Sequence, residues 1–394
     1  MFLNQFPPMG VYETLFNFQE ATGLYMGDEG TRPWAQGFPL TTQIPGGPPM
    51  PSSIEFGPSD LKYPAATGNQ PLRKAIADYY NKFYGSSISE ENVAVFAGGR
   101  PAIFAALLHL QSDVHILIEE TEYTPYYDML KNLKRAHSLI PSNPTNNFRP
   151  QLADYDLTRM KTSDRTLIIK SNPCNPTGVT WSGQKLSDLV TFASQQKHAA
   201  MFDEAYEFFH KDGPISAMKY IKDIDSTNMF VVGAATKGLQ APGLRTGWIV
   251  AAQKHIEIFR NFSSIAMGGV SRPAQICVTN LLDHARVALA RTAVAEFYNK
   301  QRDAYERGLS KCGIELCTGD GGFYHWGRLP RGLSALEFNQ RLFKHKAAIL
   351  PGTLCDMNRL GEKGPHAKFI RFSFGPLSPE TNAENLQIIE ACVK

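Results

Sequence analysis

The chain has 394 residues, of which 43% are apolar and 20% are charged, and its formal net charge is +3. This length exceeds that of one ordinary single-core domain, so we expect two lobes. The small net charge, without a long Lys/Arg block, argues against a nucleic-acid partner. No apolar stretch is long enough to cross a bilayer, so no membrane partner is expected.

The N-terminus and the cysteines bear on the cellular compartment. The first 31 residues contain no Lys or Arg, so no secretory signal is predicted. The six cysteines are scattered and form no CxxC pair, which argues against a zinc site. We therefore expect a cytoplasmic protein with reduced thiols and no bound metal.

The predicted elements begin with an irregular arm, because Pro and Gly are dense over residues 30–64. A helix follows at 70–84, where Leu72, Ile76, Tyr79 and Tyr80 form one apolar stripe. Helical patterns then lie at 101–110 and 182–196 between short apolar runs. These runs are predicted strands, at 93–96, 115–118, 167–170, 199–202, 230–234 and 248–251.

Apolar strands alternating with helices predict an α/β fold, in which a mostly parallel sheet is covered by helices on both faces in three layers. Periodicity does not separate short apolar strands from buried helix, but the alternation with helices favours strands. Ligands of such sheets bind outside the carboxyl ends of the strands. The motifs described below fall at those ends.

The C-terminal third predicts a smaller α+β lobe. One long helical stretch over 272–310 is expected to bridge the lobes. Strands are then expected at 321–326 and 369–374, and helices at 336–345 and 383–393. We expect an N-terminal arm with part of the small domain at 1–45, a large domain at 46–275, and the interdomain helix with the small domain at 276–394.

Lys237 stands just after an apolar run and eight residues before Arg245. A lysine amine can form an imine with an aldehyde cofactor and can then move protons. The apolar run before Lys237 favours this role, because desolvation lowers the pKa of an amine and favours its neutral, nucleophilic form. The alternative is a solvated surface lysine, the commoner fate of this residue type.

Asp203 ends a strand-like apolar run, where an uncompensated carboxylate would be costly. It could pair with the pyridine nitrogen of pyridoxal 5′-phosphate (PLP) and keep that nitrogen protonated. The alternative is a helix N-cap. Tyr206, and Asn175 in a stiff Asn-Pro-Thr-Gly turn, could reach the phenolic oxygen of the ring. A core tyrosine and an ordinary turn are their alternatives.

Four further features suit a phosphate, a ring and a carboxylate. Gly98, Gly99 and Arg100 precede a proline at a predicted helix start, which offers backbone donors and a cation to a phosphate. Arg245 could add a second cation, and Thr236 a hydroxyl. Tyr123 could stack on the pyridine, or be a core residue. The planar fork of Arg371 suits a substrate carboxylate, with a structural ion pair as the alternative.

In their order and spacing, these segments resemble the class I/II aminotransferases of PLP fold type I, from about residue 30 to the C-terminus. The resemblance implies PLP bound as a Schiff base to Lys237, with Asp203 at the pyridine nitrogen. It implies a homodimer in which Tyr63 reaches the phosphate of the partner subunit. The other implied roles are Tyr206 and Asn175 at the phenolic oxygen, Tyr123 on the ring, Gly98, Gly99, Arg100, Thr236 and Arg245 at the phosphate, and Gly37, Asn175 and Arg371 at the substrate.

The expected reaction moves an amino group between an L-amino acid and a 2-oxo acid. A PLP-dependent lyase or cyclase, such as a C–S lyase or an aminocyclopropane-carboxylate-forming enzyme, would share every cofactor residue. A ligand-sensing regulator is less favoured, because only about 30 to 50 residues precede the resemblance, without a basic stripe.

The sequence leaves the substrate open. Ala234 stands where many relatives carry Ser or Thr. The phosphate turn reads Gly98-Gly99-Arg100, where relatives usually carry Ser, Thr or Ala after the first glycine. The aromatic candidates near the substrate, which could equally be core residues, are Trp34, Phe38, Tyr324 and Trp326. A second arginine for dicarboxylic substrates could be Arg272 or Arg32.

Overall fold

The computed structural model describes residues 2, 6–155, 165–195, 198–330 and 332–394. Its larger sheet has seven strands: β1 (Val93–Phe96), β2 (Val114–Glu119), β3 (His137–Ile140), β4 (Arg165–Ser171), β5 (His198–Asp203), β6 (Met229–Ala234) and β7 (Gly247–Ala251). Their spatial order is β1-β7-β6-β5-β4-β2-β3. β7 runs antiparallel to both of its neighbours, and every other pair is parallel.

Helices cover both faces of this sheet. The helices of the described chain are α1 (Tyr12–Thr22), α2 (Gln70–Tyr84), α3 (Gly99–His109), α4 (Pro125–Asn132), α5 (Gly183–Ala193), α6 (Gln253–Ala266), α7 (Arg272–Leu281), α8 (His284–Lys311), α9 (Ala335–Phe343) and α10 (Asn382–Val393). The side chains of successive strand residues pack into different hydrophobic cores. Val231 packs in a cluster with residues of α2, α5 and α8, whereas Val232 packs with residues of α3, α4 and α6. The sheet is therefore buried on both faces, as parallel sheets require.

A smaller antiparallel sheet lies in the C-terminal part of the chain. Its strands are β8 (Glu315–Leu316), β9 (Tyr324–Arg328), β10 (Leu350–Pro351) and β11 (Phe369–Ser373), in the order β10-β11-β9-β8. The N-terminal segment packs against it, because Ser373 N donates to Trp34 O at 2.9 Å and Arg32 bridges to Ala347. A segment early in the chain is thereby held beside the last strand.

The structure confirms the predicted fold class, a mostly parallel sheet between helices with a smaller α+β part. The helix at 70–84 has its predicted bounds, and all six predicted strands of the large sheet are present within two residues at each end. The sequence missed β3, α1, α4 and α6. The predicted helix at 182–196 is present as α5, and the prediction at Gln196 lies outside the described residues.

The single helix predicted over 272–310 is wrong. The chain forms α7 and α8 instead, separated at Leu282 and Asp283. Asp283 Oδ1 accepts hydrogen bonds from Ala285 N and Arg286 N, both at 3.1 Å, so this side chain caps the start of α8. An aspartate between two helical patterns was the available signal for the break. Of the helices in the described ranges, none combines the length and the apolar character that a bilayer span requires.

Candidate functional site

A cavity of about 300 Å³ lies where three parallel strands end. Ser171, Asp203 and Ala234 are the last residues of β4, β5 and β6, and all three line it. The carboxyl ends of parallel strands meet at one edge of a sheet, which is the usual place for a ligand in such folds. The alternation of strands and helices therefore determines where this cavity forms.

Most of the candidate residues line this cavity: Gly37, Gly99, Arg100, Tyr123, Asn175, Asp203, Tyr206, Thr236, Lys237, Arg245 and Arg371. Gly98 lies beside it, against the guanidinium of Arg245. Tyr63 lies elsewhere, and its side chain is 92% exposed. Candidate residues up to 334 positions apart in the sequence, from Gly37 to Arg371, thus contribute to one site.

Lys237 follows β6 by three residues, and its Nζ donates a hydrogen bond to Gly37 O. Burial of the amine, with the positive charges of Arg371, Arg100 and Arg245, lowers its pKa to about 7, while Asp203 acts in the opposite direction. An amine with this pKa is substantially neutral at neutral pH and is therefore a nucleophile and a proton acceptor. The solvated-lysine alternative does not describe this environment.

Asp203 is held by two hydrogen bonds at the end of β5. Its Oδ2 accepts from Tyr126 Oη at 2.7 Å, and its Oδ1 accepts from Ala205 N at 3.1 Å. Burial raises the pKa of this carboxyl despite both hydrogen bonds. A protonated ring nitrogen would offset that cost by supplying a positive charge. No helix of the described chain begins at Asp203, so it is not a helix cap.

Tyr206 and Asn175 both contact residues that come from the C-terminal part of the chain. Tyr206 Oη hydrogen-bonds to Tyr324 Oη, and Asn175 Oδ1 accepts from Arg371 Nη1 at 2.8 Å. The amide NH₂ of Asn175 is the group that could donate to a phenolic oxygen. The site is thus assembled across the large sheet and the small one.

The start of α3 forms the cationic end of the cavity. Gly98 has φ 107°, and a Cβ there would lie 2.5 Å from Arg245 Nη2, so only glycine allows this approach. Arg245 donates to Pro242 O at 2.9 Å and to Ala97 O at 3.4 Å, which fixes its guanidinium beside the helix start. Free N–H groups at a helix N-terminus with an adjacent arginine suit a phosphate.

Arg371 lies on β11 and is only 2% exposed. Its Nη2 donates to Ala35 O at 2.5 Å, and its guanidinium lies 4.3 Å from the ring centroid of Tyr324. Its buried Nε has no hydrogen-bond partner, and no carboxylate of the described residues forms an ion pair with it. The structural ion pair considered from the sequence is therefore not formed there, and a substrate carboxylate would satisfy this charge.

The structure separates the four aromatic residues whose role the sequence left open into cavity-lining and core residues. Phe38 and Tyr324 line the cavity, whereas Trp34 and Trp326 are fully buried in the hydrophobic cores. Arg272 and Arg32 do not line the cavity: Arg272 pairs with Asp60 at 3.0 Å, and Arg32 pairs with Glu384.

The sequence reading missed that Val11 and Ile103 line the cavity. It also missed the role of Tyr126 as the partner of Asp203. Tyr126 lies 77 positions from Asp203, so no local pattern joins the two.

Comparisons with known proteins agree with this geometry. The family model described as aminotransferase class I and II matches residues 50–389. The chain is 25% identical to an aspartate aminotransferase of Sulfolobus acidocaldarius, over 79% of this chain and 78% of that protein. It is also 25% identical to an LL-diaminopimelate aminotransferase of Dehalococcoides mccartyi, over 75% and 76%.

The fold is similar to that of solved aminotransferase structures. The aspartate aminotransferase of Thermus thermophilus with maleate superposes with a TM-score of 0.80 at 20% identity, covering 98% of this chain and 97% of that one. The aromatic aminotransferase of Pyrococcus horikoshii gives 0.74 at 20% identity, covering 84% and 88%. These names support amino transfer over the lyase, cyclase and regulator alternatives. The chain therefore belongs to the class I and II aminotransferases and is a PLP-dependent enzyme of fold type I.

Proposed function

We propose that the cavity binds PLP with Lys237 at its aldehyde carbon and Asp203 at its ring nitrogen. The backbone at Gly98 and Gly99, with Arg245, would hold the phosphate. The observation that carries the proposal is the Lys237 amine, whose pKa is lowered to about 7, in a cavity that also contains a buried acid, Asp203. A helix start and a fixed arginine complete the set of donors that PLP needs.

Each side chain then has a defined task. PLP, when bound, supplies a carbonyl carbon and an electron-withdrawing ring that acidifies the substrate α-carbon. Lys237 Nζ would accept the α-proton and deliver a proton to the former aldehyde carbon of PLP, because its pKa of about 7 lets it gain and lose a proton near neutral pH. Arg371 binds the α-carboxylate, which would partner its unsatisfied Nε.

Borohydride reduction tests the attachment. Reduced protein, digested and mapped by mass spectrometry, should carry the pyridoxyl group on Lys237. Label on another lysine, such as the exposed Lys219, would contradict the proposal.

The rate at which the PLP-free protein takes up PLP should fall as the pH drops below about 7. The pKa of Lys237 is lowered from the usual 10.5 to about 7. The neutral, nucleophilic amine is therefore dominant above that pH, and the protonated amine is dominant below it. Each further pH unit below that value should slow PLP attachment about tenfold. Stopped-flow absorbance against pH measures this, with a free alkylamine as the reference. A decline that begins near pH 10 would show an ordinary lysine.

We propose that the substrates are an L-amino acid and a 2-oxo acid. The α-carboxylate would bind Arg371, and the side chain would lie toward Phe38, Ile103 and Tyr324, which line the same cavity. The named relatives act on different amino acids, aspartate and LL-diaminopimelate among them. Screening single amino acids for their effect on the cofactor spectrum would identify the amino donor.

We propose a homodimer whose partner subunit covers the mouth of the site. A second cavity, of about 850 Å³, shares Val11, Arg100, Tyr123 and Arg245 with the first. It is walled by apolar residues that are partly exposed, such as Phe104. Large exposed apolar surfaces mark contact sites in soluble proteins.

Tyr63→Phe should weaken PLP binding several-fold, because the proposed role of this exposed hydroxyl is to donate to the phosphate of the partner subunit. Equilibrium dialysis of PLP measures the affinity, and sedimentation measures the assembly. Tyr25→Phe removes another exposed hydroxyl and serves as the control. A fully active monomer would exclude the proposed contact.

We also propose a reducing, cytoplasmic location. All six cysteines are free in the structure, and four of them are buried. Buried thiols without disulfides are typical of reducing compartments. Localisation of a tagged full-length chain would test this.

A further inference from the structure

Glu122 is a fully buried acid just behind the wall of the cavity. It follows β2 and precedes Tyr123, and every hydrogen bond of its carboxyl goes to cavity-lining residues. Oε2 accepts from Tyr123 N at 2.9 Å and from Ser171 Oγ at 2.7 Å, and Oε1 accepts from Ser171 N at 3.3 Å. One carboxyl thus joins the loop after β2 to the end of β4.

The two residues that Glu122 holds belong to the proposed PLP site. Tyr123 and Ser171 line the cavity, and Tyr123 is the proposed ring-stacking residue. Ser171 pairs in register with Asp203 on the neighbouring strand, and the next residue, Asn172, donates its N–H to Asp203 O at 2.9 Å. A shift of Glu122 would therefore alter both a face of the ring site and the strand end that carries the acid.

The surroundings of Glu122 are an ionic network. Lys170 pairs with Glu119, and Tyr155 Oη donates to Glu119 at 2.8 Å. Possible ligand atoms of Glu119, Glu122 and Cys174 lie within 4.8 Å of one another, which is compatible with a metal site. The Lys170 ammonium already supplies the positive charge at this cluster, so a cation is not required there.

We propose that Glu122 is a positioning residue of the cofactor site, which sets the place of the Tyr123 ring and the orientation of the Ser171 hydroxyl. This rests on the proposed binding of PLP in the cavity. Replacing the carboxylate by an amide would keep one acceptor oxygen and set an NH₂ donor against the backbone N–H at the other oxygen, so the loop would move to regain hydrogen bonds. A small displacement of a positioning group is enough to lower activity substantially.

The charge of Glu122 should change the hydrogen bonds that it makes. Burial and the nearby Glu119 raise its pKa to about 8, against the opposing effects of Lys170 and Ser171. The other titratable groups around it are Tyr126, Tyr155, Cys174 and Cys355.

Below about pH 8 the protonated acid must donate. Both backbone partners are donors only, so among its hydrogen-bond partners Ser171 Oγ is the one able to accept. Above that pH, the carboxylate accepts from the Ser171 hydroxyl instead.

The test compares Glu122→Gln with Glu120→Gln. Glu120 precedes it by two residues, and its carboxyl accepts from Ser142 N and Asn143 Nδ2 outside the cavity. The measured quantity is the dissociation constant of PLP from pH 6.5 to 9.5, by equilibrium dialysis. Glu122→Gln should raise it about tenfold and remove an inflection near pH 8 that the wild type and Glu120→Gln retain.

Unchanged affinity with an unchanged pH profile in folded Glu122→Gln would overturn the proposal. Glu122→Asp is the second variant, because it keeps the charge but shortens the reach by one methylene. It should weaken PLP binding and keep the inflection, and wild-type affinity in that variant would also overturn the proposal. A wild type that carries no reducible pyridoxyl on Lys237 would instead contradict the proposed function, so the two failures are distinguishable.

Discussion

Lys237→Ala is expected to abolish amino transfer while leaving the fold intact. The variant loses both the amine that would bind the PLP aldehyde and the group that moves the α-proton. A loss of about 10⁴-fold in kcat is the upper range for a positioned acid–base group. Single-turnover absorbance with an amino acid donor measures it. The alanine also leaves the Gly37 carbonyl without its present donor, which should cost little because Lys237 lies at a solvent-connected cavity.

The matched control is Lys219→Ala, which makes the same substitution at an exposed position outside the cavity. It should retain wild-type activity. Circular dichroism of both variants would separate a lost fold from lost chemistry. Wild-type turnover by folded Lys237→Ala would refute the assignment of this lysine.

Asp203→Asn should lower kcat about 10²–10³-fold, with a much smaller change in PLP affinity. An amide keeps the size of the side chain but cannot stabilise a protonated ring nitrogen by charge. The proposed phosphate contacts at Gly98, Gly99 and Arg245 would be unchanged, which is why binding should persist. Steady-state kinetics and PLP dialysis on the same preparation measure the two effects.

Tyr126→Phe gives the graded comparison for this prediction. It removes only the donor to Asp203 Oδ2 and leaves the carboxylate in place. Loss of one hydrogen bond to a charged group corresponds to about 1.5–3 kcal/mol, so its effect on kcat should be the smaller one. Near-normal kcat in Asp203→Asn would remove the proposed role of the acid.

The large sheet was predictable because each strand carries its own signal. A strand that is buried on both faces must be apolar throughout, so runs such as Phe230 to Val232 stand out against the polar helices between them. β3 was missed because it is short, begins with the exposed His137 and lies at the edge of the sheet. The break between α7 and α8 was missed because helical periodicity continues on both sides of Asp283.

The individual site residues were also accessible to sequence reading, since strand ends, Gly-Pro turns and a lysine after an apolar run are local patterns. Their hydrogen-bond partners were not. Tyr126 on Asp203, Tyr324 on Tyr206 and Asn175 on Arg371 each join residues 77 or more positions apart. No periodicity spans such distances.

The sequence by itself determined the fold class and the family and indicated candidate residues for binding PLP, because burial and turn chemistry are visible as local patterns in the chain. Only the tertiary structure decided which charges are compensated. It shows that Arg272 and Arg32 are paired, that Arg371 has no carboxylate partner among the described residues, and that Glu122 lies behind the cavity. The pKa of a side chain depends on its distances to other charges and to solvent, and those distances exist only once the chain has folded.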